Sequence, residues 1–168
     1  MRKSVWYFYS VAVWLFAVAE AVLALFLGAN DKLCGLVTCL FLFGWGVLMY
    51  TANRENLSRY EILLACSDSF VKFCRGCVVC GILIFLLGMF LLRNGGPHIH
   101  EGAYCLWNHG FIREITEGEY RALSRVKGSM FAGMHLFFST VTMAFFTGRE
   151  KIRYIKYHQD KECKNDAI

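Results

Sequence analysis

VWYFYSVAVWLFAVAEAVLALFL, residues Val5 to Leu27, decides how many times this chain crosses a lipid bilayer. The stretch holds one acidic residue, Glu20, and no lysine or arginine over about 23 positions. A helix of that length rises about 34 Å, enough for a hydrocarbon layer of ~30 Å. Arg2 and Lys3 precede it, and Ala17-Val18-Ala19 has the form of a secretory cleavage site, whose use would leave three spans. The apolar run nevertheless continues to Leu27, well beyond the ~7–15 residues of a signal core. It therefore reads as a retained helix.

Three further apolar stretches follow, Leu33 to Tyr50, Phe70 to Leu92 and Gly128 to Phe146. Only helices and closed barrels satisfy their backbone in lipid, and continuous rather than alternating apolar runs are helical. The expected fold class is an all-α membrane protein. One four-helix transmembrane bundle takes up residues 1–168, with a small extracytoplasmic loop (93–127) and a cytoplasmic tail (147–168). With 57% hydrophobic residues and Pro97 as the single proline, no stretch reads as a separate soluble core.

The net charge of +5 comes from basic residues at the ends of spans, which favours an orientation signal and lipid contact over direct nucleic-acid binding. Twelve Lys and Arg residues lie on the side of the termini, among them Arg2, Lys3, Arg54, Lys72, Arg149 and Lys151, against six on the other side. The positive-inside rule then places both termini in the cytoplasm, and the expected location is a membrane of the bacterial inner-membrane type.

The loops carry their own signals. Gly28-Ala29-Asn30-Asp31-Lys32 is a short turn that makes the first two spans an antiparallel hairpin. In the link from Thr51 to Ser69, Leu57, Tyr60 and Leu64 fall at helical spacing, which predicts a helix at the membrane surface or an inward extension of the third span. After the breaker Asn94-Gly95-Gly96-Pro97, the runs Ala103 to Trp107 and Phe111 to Ile115 flank Asn108-His109-Gly110, a hairpin signal. Thr116-Glu117-Gly118-Glu119 then supplies a capping box for the helix that enters the fourth span.

An ionisable group inside a span is expensive, so Glu20 invites a functional hypothesis. It lies about 10 Å below the outer end of the first span, and His135 lies about 10 Å below the start of the fourth. Equal depth makes an intramembrane polar pair between Glu20 and His135 feasible. It would act as a structural bond, or else as a proton-sensitive switch or a pore lining together with Ser139, Thr140 and Thr142. Gly128, Ser129, Ala132 and Gly133 form two small-xxx-small pairs, Gly44 and Gly46 notch the second span, and Gly81 and Gly88 lie along the third. These are helix-packing positions within the chain or between copies.

Most of the eight cysteines read as small apolar residues, and Cys34, Cys39, Cys77 and Cys80 lie in spans rather than in a disulfide framework. His98, His100, Glu101, Cys105 and His109 are metal-capable side chains in the outer loop, but they match no specific zinc spacing. With His135 the one histidine inside a span, a bis-histidine haem lacks its second ligand there. No catalytic fingerprint is present. The expectation is a non-enzymatic protein without a cofactor.

Beyond the fourth span, Arg149, Lys151, Arg153, Tyr154, Lys156 and Tyr157 continue the helix as a basic, tyrosine-bearing stretch, suited to lipid headgroups or a cytoplasmic protein partner. Four spans, cytoplasmic termini and this length are similar in outline to the immunity proteins that protect bacteria from pore-forming colicins, and to small membrane subunits of bacterial defence systems such as Kiwa. That resemblance of outline implies a defence or immunity setting. The expected function is an oligomeric sensor or scaffold that recruits a cytoplasmic partner. The alternatives are a small oligomeric channel or pore-forming effector, and an accessory subunit of a membrane redox complex.

Overall fold

A computed structural model describes residues 4–27, 31–108 and 110–165. The turn Gly28-Ala29-Asn30 and the loop residue His109 lie outside the described residues. In chain order the elements are α1 (Val5–Leu27), α2 (Asp31–Glu55), α3 (Arg59–Ala65), α4 (Asp68–Leu91), β1 (Gly96–His100), β2 (Ala103–Asn108), β3 (Phe111–Glu114) and α5 (Glu117–Asn165). Four of the helices, α1, α2, α4 and α5, are long and apolar enough to cross a membrane.

Burial follows a seven-residue rhythm in α1, α2 and α4. The buried residues are Ser10, Val13, Ala17, Glu20 and Ala24 on α1, and Val37, Phe41, Gly44, Leu48 and Thr51 on α2. On α4 they are Cys74, Gly81 and Gly88. Spacings of three and four keep one seam facing its neighbour and give the shallow crossing of left-handed bundles. Small and polar residues occupy much of this seam, while Leu83, Leu86, Leu87 and Phe90 of α4 are each more than half exposed. An apolar exterior around a small-residue interior is the arrangement expected where lipid is the solvent, because close backbone approach there replaces water exclusion as the source of packing energy.

The fourth apolar stretch is part of a far longer element than the expected 128–146. Helix α5 runs for 49 residues without a break, about 74 Å at 1.5 Å per residue, more than twice the hydrocarbon thickness of ~30 Å. Neither a proline nor a glycine pair interrupts it, so nothing in the sequence stops the helix at the end of its apolar part. It packs against α1, α2, α3 and α4 and reaches β1 and β2, so the bundle is arranged around it.

At one end of α5 sits a three-stranded antiparallel sheet of order β1-β2-β3. The chain is mostly helical, as expected, and the outer loop adds one strand to the hairpin read there, giving three. The missed strand, β1, joins β2 through Glu101 and Gly102, whose φ values of 50° and 85° fit a two-residue turn with both central residues left-handed. Pro97 stands in β1 opposite Leu106, and an edge strand tolerates the missing N–H. The β2–β3 connection is shorter by a residue than the expected three-residue loop, since Asn108 pairs with Phe111. The capping box forms as expected, with Thr116 N–H and Oγ1–H donating to Glu119 and the Glu119 N–H donating to Thr116 Oγ1. Tyr120 lies against Tyr104 of β2, tying the sheet to the first turn of α5.

The link between α2 and α4 holds a helix, as expected, but not as an extension of α4. It folds as the separate short helix α3, after Asn56 closes α2 in a left-handed conformation of φ 49°. Ile62 is the residue that buries, joining Leu48, Phe145 and Phe146 in a small core, whereas Tyr60 and Leu64 are exposed. The close fit of α3 on α5 depends on Gly148, where a Cβ would lie 2.7 Å from the Ile62 carbonyl oxygen.

A second capping box starts α3. Ser58 donates its backbone N–H and its hydroxyl to the Glu61 carboxylate, and the Glu61 N–H donates back to Ser58 Oγ. The backbone bond first, then the hydroxyl, hold the Glu61 carboxyl below its ordinary value. A carboxyl lowered on folding contributes fully above its unfolded value of about 4.3, and the contribution disappears as pH falls through the lower folded value. Hydrogen-exchange protection of the α3 amides should therefore drop on acidification below about pH 4. In Glu61→Gln, which caps without titrating, the protection should stay flat over the same range.

Candidate functional site

The seam of α1 carries Glu20 between Ala17 and Ala24, two small residues that let α1 approach α5 closely. On α5 the facing position is His135, which is fully buried, and Glu20 itself is only 6% exposed. The structure brings these two residues together. His135 Nδ1 and Glu20 Oε2 are 2.6 Å apart.

The other face of the ring meets α2. His135 Nε2 lies 2.9 Å from Thr38 Oγ1, and the Thr38 hydroxyl donates to the Cys34 carbonyl at 2.8 Å. A hydroxyl has one proton to give. Since that proton is on the Cys34 carbonyl, Nε2 must be the donor in its bond with Thr38. Nδ1 and Oε2 are then left with one proton between them. The pair is either a neutral imidazole beside a carboxylic acid or an imidazolium beside a carboxylate, and its net charge is zero in both. That resolves the electrostatic problem posed by Glu20 inside an apolar bundle, because the buried unit carries no net charge whichever atom holds the proton.

The ring of Phe41 stands 5.0 Å from that of His135 and walls the site on the α2 side. One turn along α5, the Trp14 indole N–H donates to Thr140 Oγ1 at 3.0 Å. Ser139 and Thr142, considered from the sequence as pore-lining residues, donate instead to the Leu136 and Phe138 carbonyls of their own helix. Comparison of the chain with protein-family models, with curated proteins and with solved structures gives no match. What the site can do therefore rests on its own chemistry.

Among the described residues, the metal-capable side chains that cluster are Glu20, Cys34 and His135, whose ligand atoms all lie within 4.8 Å of one another. The outer-loop set is arranged differently. His98 stacks near Trp107, His100 lies 3.9 Å from Glu101, Cys105 is buried in β2, and His109 is outside the described residues.

The helix-packing residues divide into two groups. Gly81 and Gly133 face each other across α4 and α5, each with its carbonyl oxygen 2.7 Å from where the other's Cβ would stand, and Gly88 lies under Met130. Gly128 and Ala132 are buried and Ser129 is half-buried. These positions are used inside one chain. Gly44 receives the ring of Tyr9, but Gly46 meets nothing within 4 Å among the described residues and is not a notch for any of them.

The tail also separates into two kinds of residue. Arg149 is buried and forms a two-pronged pair with Glu55, its Nε donating at 2.7 Å and its Nη2 to the second oxygen. Arg153 donates to the same carboxylate at 2.9 Å. Both were candidates for partner or lipid contact, and the structure engages them within the chain, on the Glu55 carboxylate at the end of α2. Lys151, Tyr154, Lys156 and Tyr157 are exposed, together with Ile155.

Sequence reasoning reached Glu20 and His135 but not Thr38, Cys34 or Glu55. The first two were within reach of the depth count, since Thr38 is five residues into the second apolar stretch, about 8 Å deep, and Cys34 stands four positions before it on the same helix face.

Proposed function

We propose that this chain is a non-enzymatic integral membrane subunit that self-associates, with both termini in the cytoplasm, and that couples its sheet to a cytoplasmic protein partner bound on its tail. One observation carries the reading. Helix α5 is continuous from its cap beside the sheet, through the centre of the bundle, to the exposed Lys151, Tyr154, Ile155, Lys156 and Tyr157. A single rigid element that touches every other helix transmits a displacement at one end to the other. The Glu20–His135 bond and the Glu55 ion pairs fasten it to α1 and α2 on the way.

Self-association draws on the face of α2 left uncovered. Gly35, Cys39, Leu42, Gly46 and Met49 are all exposed and recur at spacings of four, three, four and three. A second copy has a small-residue surface to approach there, whereas Gly81 and Gly88 of α4 and Gly133 and Gly148 of α5 are already occupied within the chain. Ser139, Thr140 and Thr142 have their hydrogen bonds satisfied within one chain, which favours a sealed subunit over a channel.

The test is purification of the full chain from its native membranes. We expect a mass above that of the monomer, oxidative coupling of two copies through Cys39 that is lost in Cys39→Ser, and a cytoplasmic companion that is lost when Tyr154 and Tyr157 are both changed to alanine. Liposomes containing the protein should stay impermeable to ions. A monomer without a companion, or ion flux that tracks protein content, would overturn the reading.

A further inference from the structure

The cluster at the centre of the bundle has a composition that a structural hydrogen bond does not require. A Glu–His pair is complete with two residues, yet Cys34 of α2 brings a sulfur within 4.8 Å of both the Glu20 carboxylate and a ring nitrogen of His135. One carboxylate oxygen, one imidazole nitrogen and one thiol converge from three different helices. We propose that Glu20, Cys34 and His135 bind a single divalent cation of the zinc type.

Carboxylate, imidazole and thiolate are the three donor classes that Zn²⁺ accepts, and a site of three protein ligands leaves a fourth position for water. Softer Cu(I) favours sulfur-rich sets, and harder Mg²⁺ or Ca²⁺ favours all-oxygen sets, so this mixture selects the borderline ion. The coordinating nitrogen is Nδ1, because Nε2–H is committed to Thr38. A ligating histidine ordinarily has its second nitrogen anchored in that way, with the ring orientation fixed in advance. Here the anchor continues from Thr38 to the Cys34 carbonyl, so the residue that orients the imidazole is held to the backbone of the residue that supplies the sulfur.

The geometry is close to what the ion needs. Tetrahedral zinc with bonds of ~2.0–2.3 Å sets neighbouring ligand atoms about 3.3–3.6 Å apart. The Nδ1 to Oε2 separation of 2.6 Å must open by about 0.7–1 Å, and the sulfur must close from within 4.8 Å. The Glu20 and Cys34 side chains can do both by rotation about their side-chain bonds without moving a helix.

Charge supplies the stronger argument. Without the ion the cluster is neutral, with one proton shared by Glu20 and His135 and one on the Cys34 sulfur. Binding Zn²⁺ forms Zn–O, Zn–N and Zn–S bonds and releases those two protons to solvent. The ion with one carboxylate, one thiolate and one neutral imidazole again sums to zero. A divalent ion can thus enter the low-dielectric interior with no change in net charge, which removes the penalty that opposes charge in a membrane span.

The probe is Co²⁺, added to the full chain purified in detergent after treatment with a chelator. We expect one equivalent to produce a near-ultraviolet thiolate-to-cobalt band with the visible absorption of four-coordinate cobalt, and Zn²⁺ to displace it. Two protons should be released per ion in a weakly buffered solution. Cys34→Ala should remove the near-ultraviolet band, and Glu20→Gln, which keeps a hydrogen bond to His135, should weaken binding at least tenfold while the protein elutes at its normal size. Thr38→Val should weaken binding by about 10-fold or more through loss of the ring's anchor. No thiolate band in the folded wild-type protein overturns the proposal, as does a band that persists in Cys34→Ala, which would place the cobalt on another cysteine. Binding without proton release also overturns it.

Discussion

Gly133→Leu is expected to prevent the bundle from assembling. A Cβ at position 133 would stand 2.7 Å from the Gly81 carbonyl oxygen and 3.0 Å from the Ile84 side chain. The first of these is backbone and cannot swing aside, so α4 must shift away from α5 for even one carbon to fit. Overpacking of a fitted interior costs about 1–3 kcal/mol per insertion, and more where backbone must move. We therefore expect Gly133→Ala to lower stability by about 2 kcal/mol and Gly133→Leu to exceed what α4 gains by docking. Thermal unfolding in detergent, followed by loss of the monodisperse elution peak, measures both. Gly46→Leu is the control, since nothing lies within 4 Å of that position, and it should stay within about 0.5 kcal/mol of wild type. If Gly133→Leu elutes and melts like Gly46→Leu, the α4–α5 interface described above is wrong.

The same contrast shows what could be read in advance from the residues. The apolar stretches located all four long helices, and Val5 to Leu27 coincides with α1, because hydropathy is a sum over many residues and tolerates local error; only α5 runs well beyond its apolar part. The inward faces were harder to read. In a soluble helix the apolar residues mark the interior, but here nearly all residues are apolar and the interior is marked by the exceptions: Ser10, Ala17, Glu20 and Ala24 at spacings of seven, three and four. Equal depth led from there to Glu20 and His135. It could not decide which helix lay on the far side of the imidazole, since that depends on how three helices are arranged around α5 rather than on any one of them.

The contacts of the tail and of the outer loop were hidden for a different reason. Arg149 and Arg153 sit in a run of exposed basic residues, and nothing local distinguishes them from Lys151 and Lys156. Their partner, Glu55, is 94 positions away from Arg149 in the chain and meets it because α2 ends level with that turn of α5. Strand β1 was hidden by its composition, since glycine and proline at its start resemble a breaker. It exists because β2 offers it an edge and because Glu101 and Gly102 turn the chain back on itself. In each case a contact distant in sequence outweighed the local signal.

His135→Leu should cost more than any single change to Glu20. It removes the ring that bonds both Glu20 and Thr38, so the shared proton stays on a carboxyl with no acceptor facing it, and the Thr38 hydroxyl loses its donor. A buried polar group left without a partner costs about 1–3 kcal/mol, and interhelical hydrogen bonds in membrane proteins contribute about 0.6–2 kcal/mol, so a loss of about 2–3 kcal/mol is expected. Glu20→Gln behaves differently, because its amide N–H can donate to Nδ1 in place of the carboxyl, and about 1 kcal/mol or less should be lost. The double variant Glu20→Leu with His135→Leu should be more stable than His135→Leu alone, since replacing both members of a buried polar pair by apolar groups is often close to neutral while removing one is not. A double-mutant cycle on reversible unfolding in mixed detergent measures the coupling directly. Should Glu20→Gln prove as damaging as His135→Leu, the proton sits on the ring, and an imidazolium–carboxylate pair rather than a neutral acid–imidazole pair holds α1 to α5.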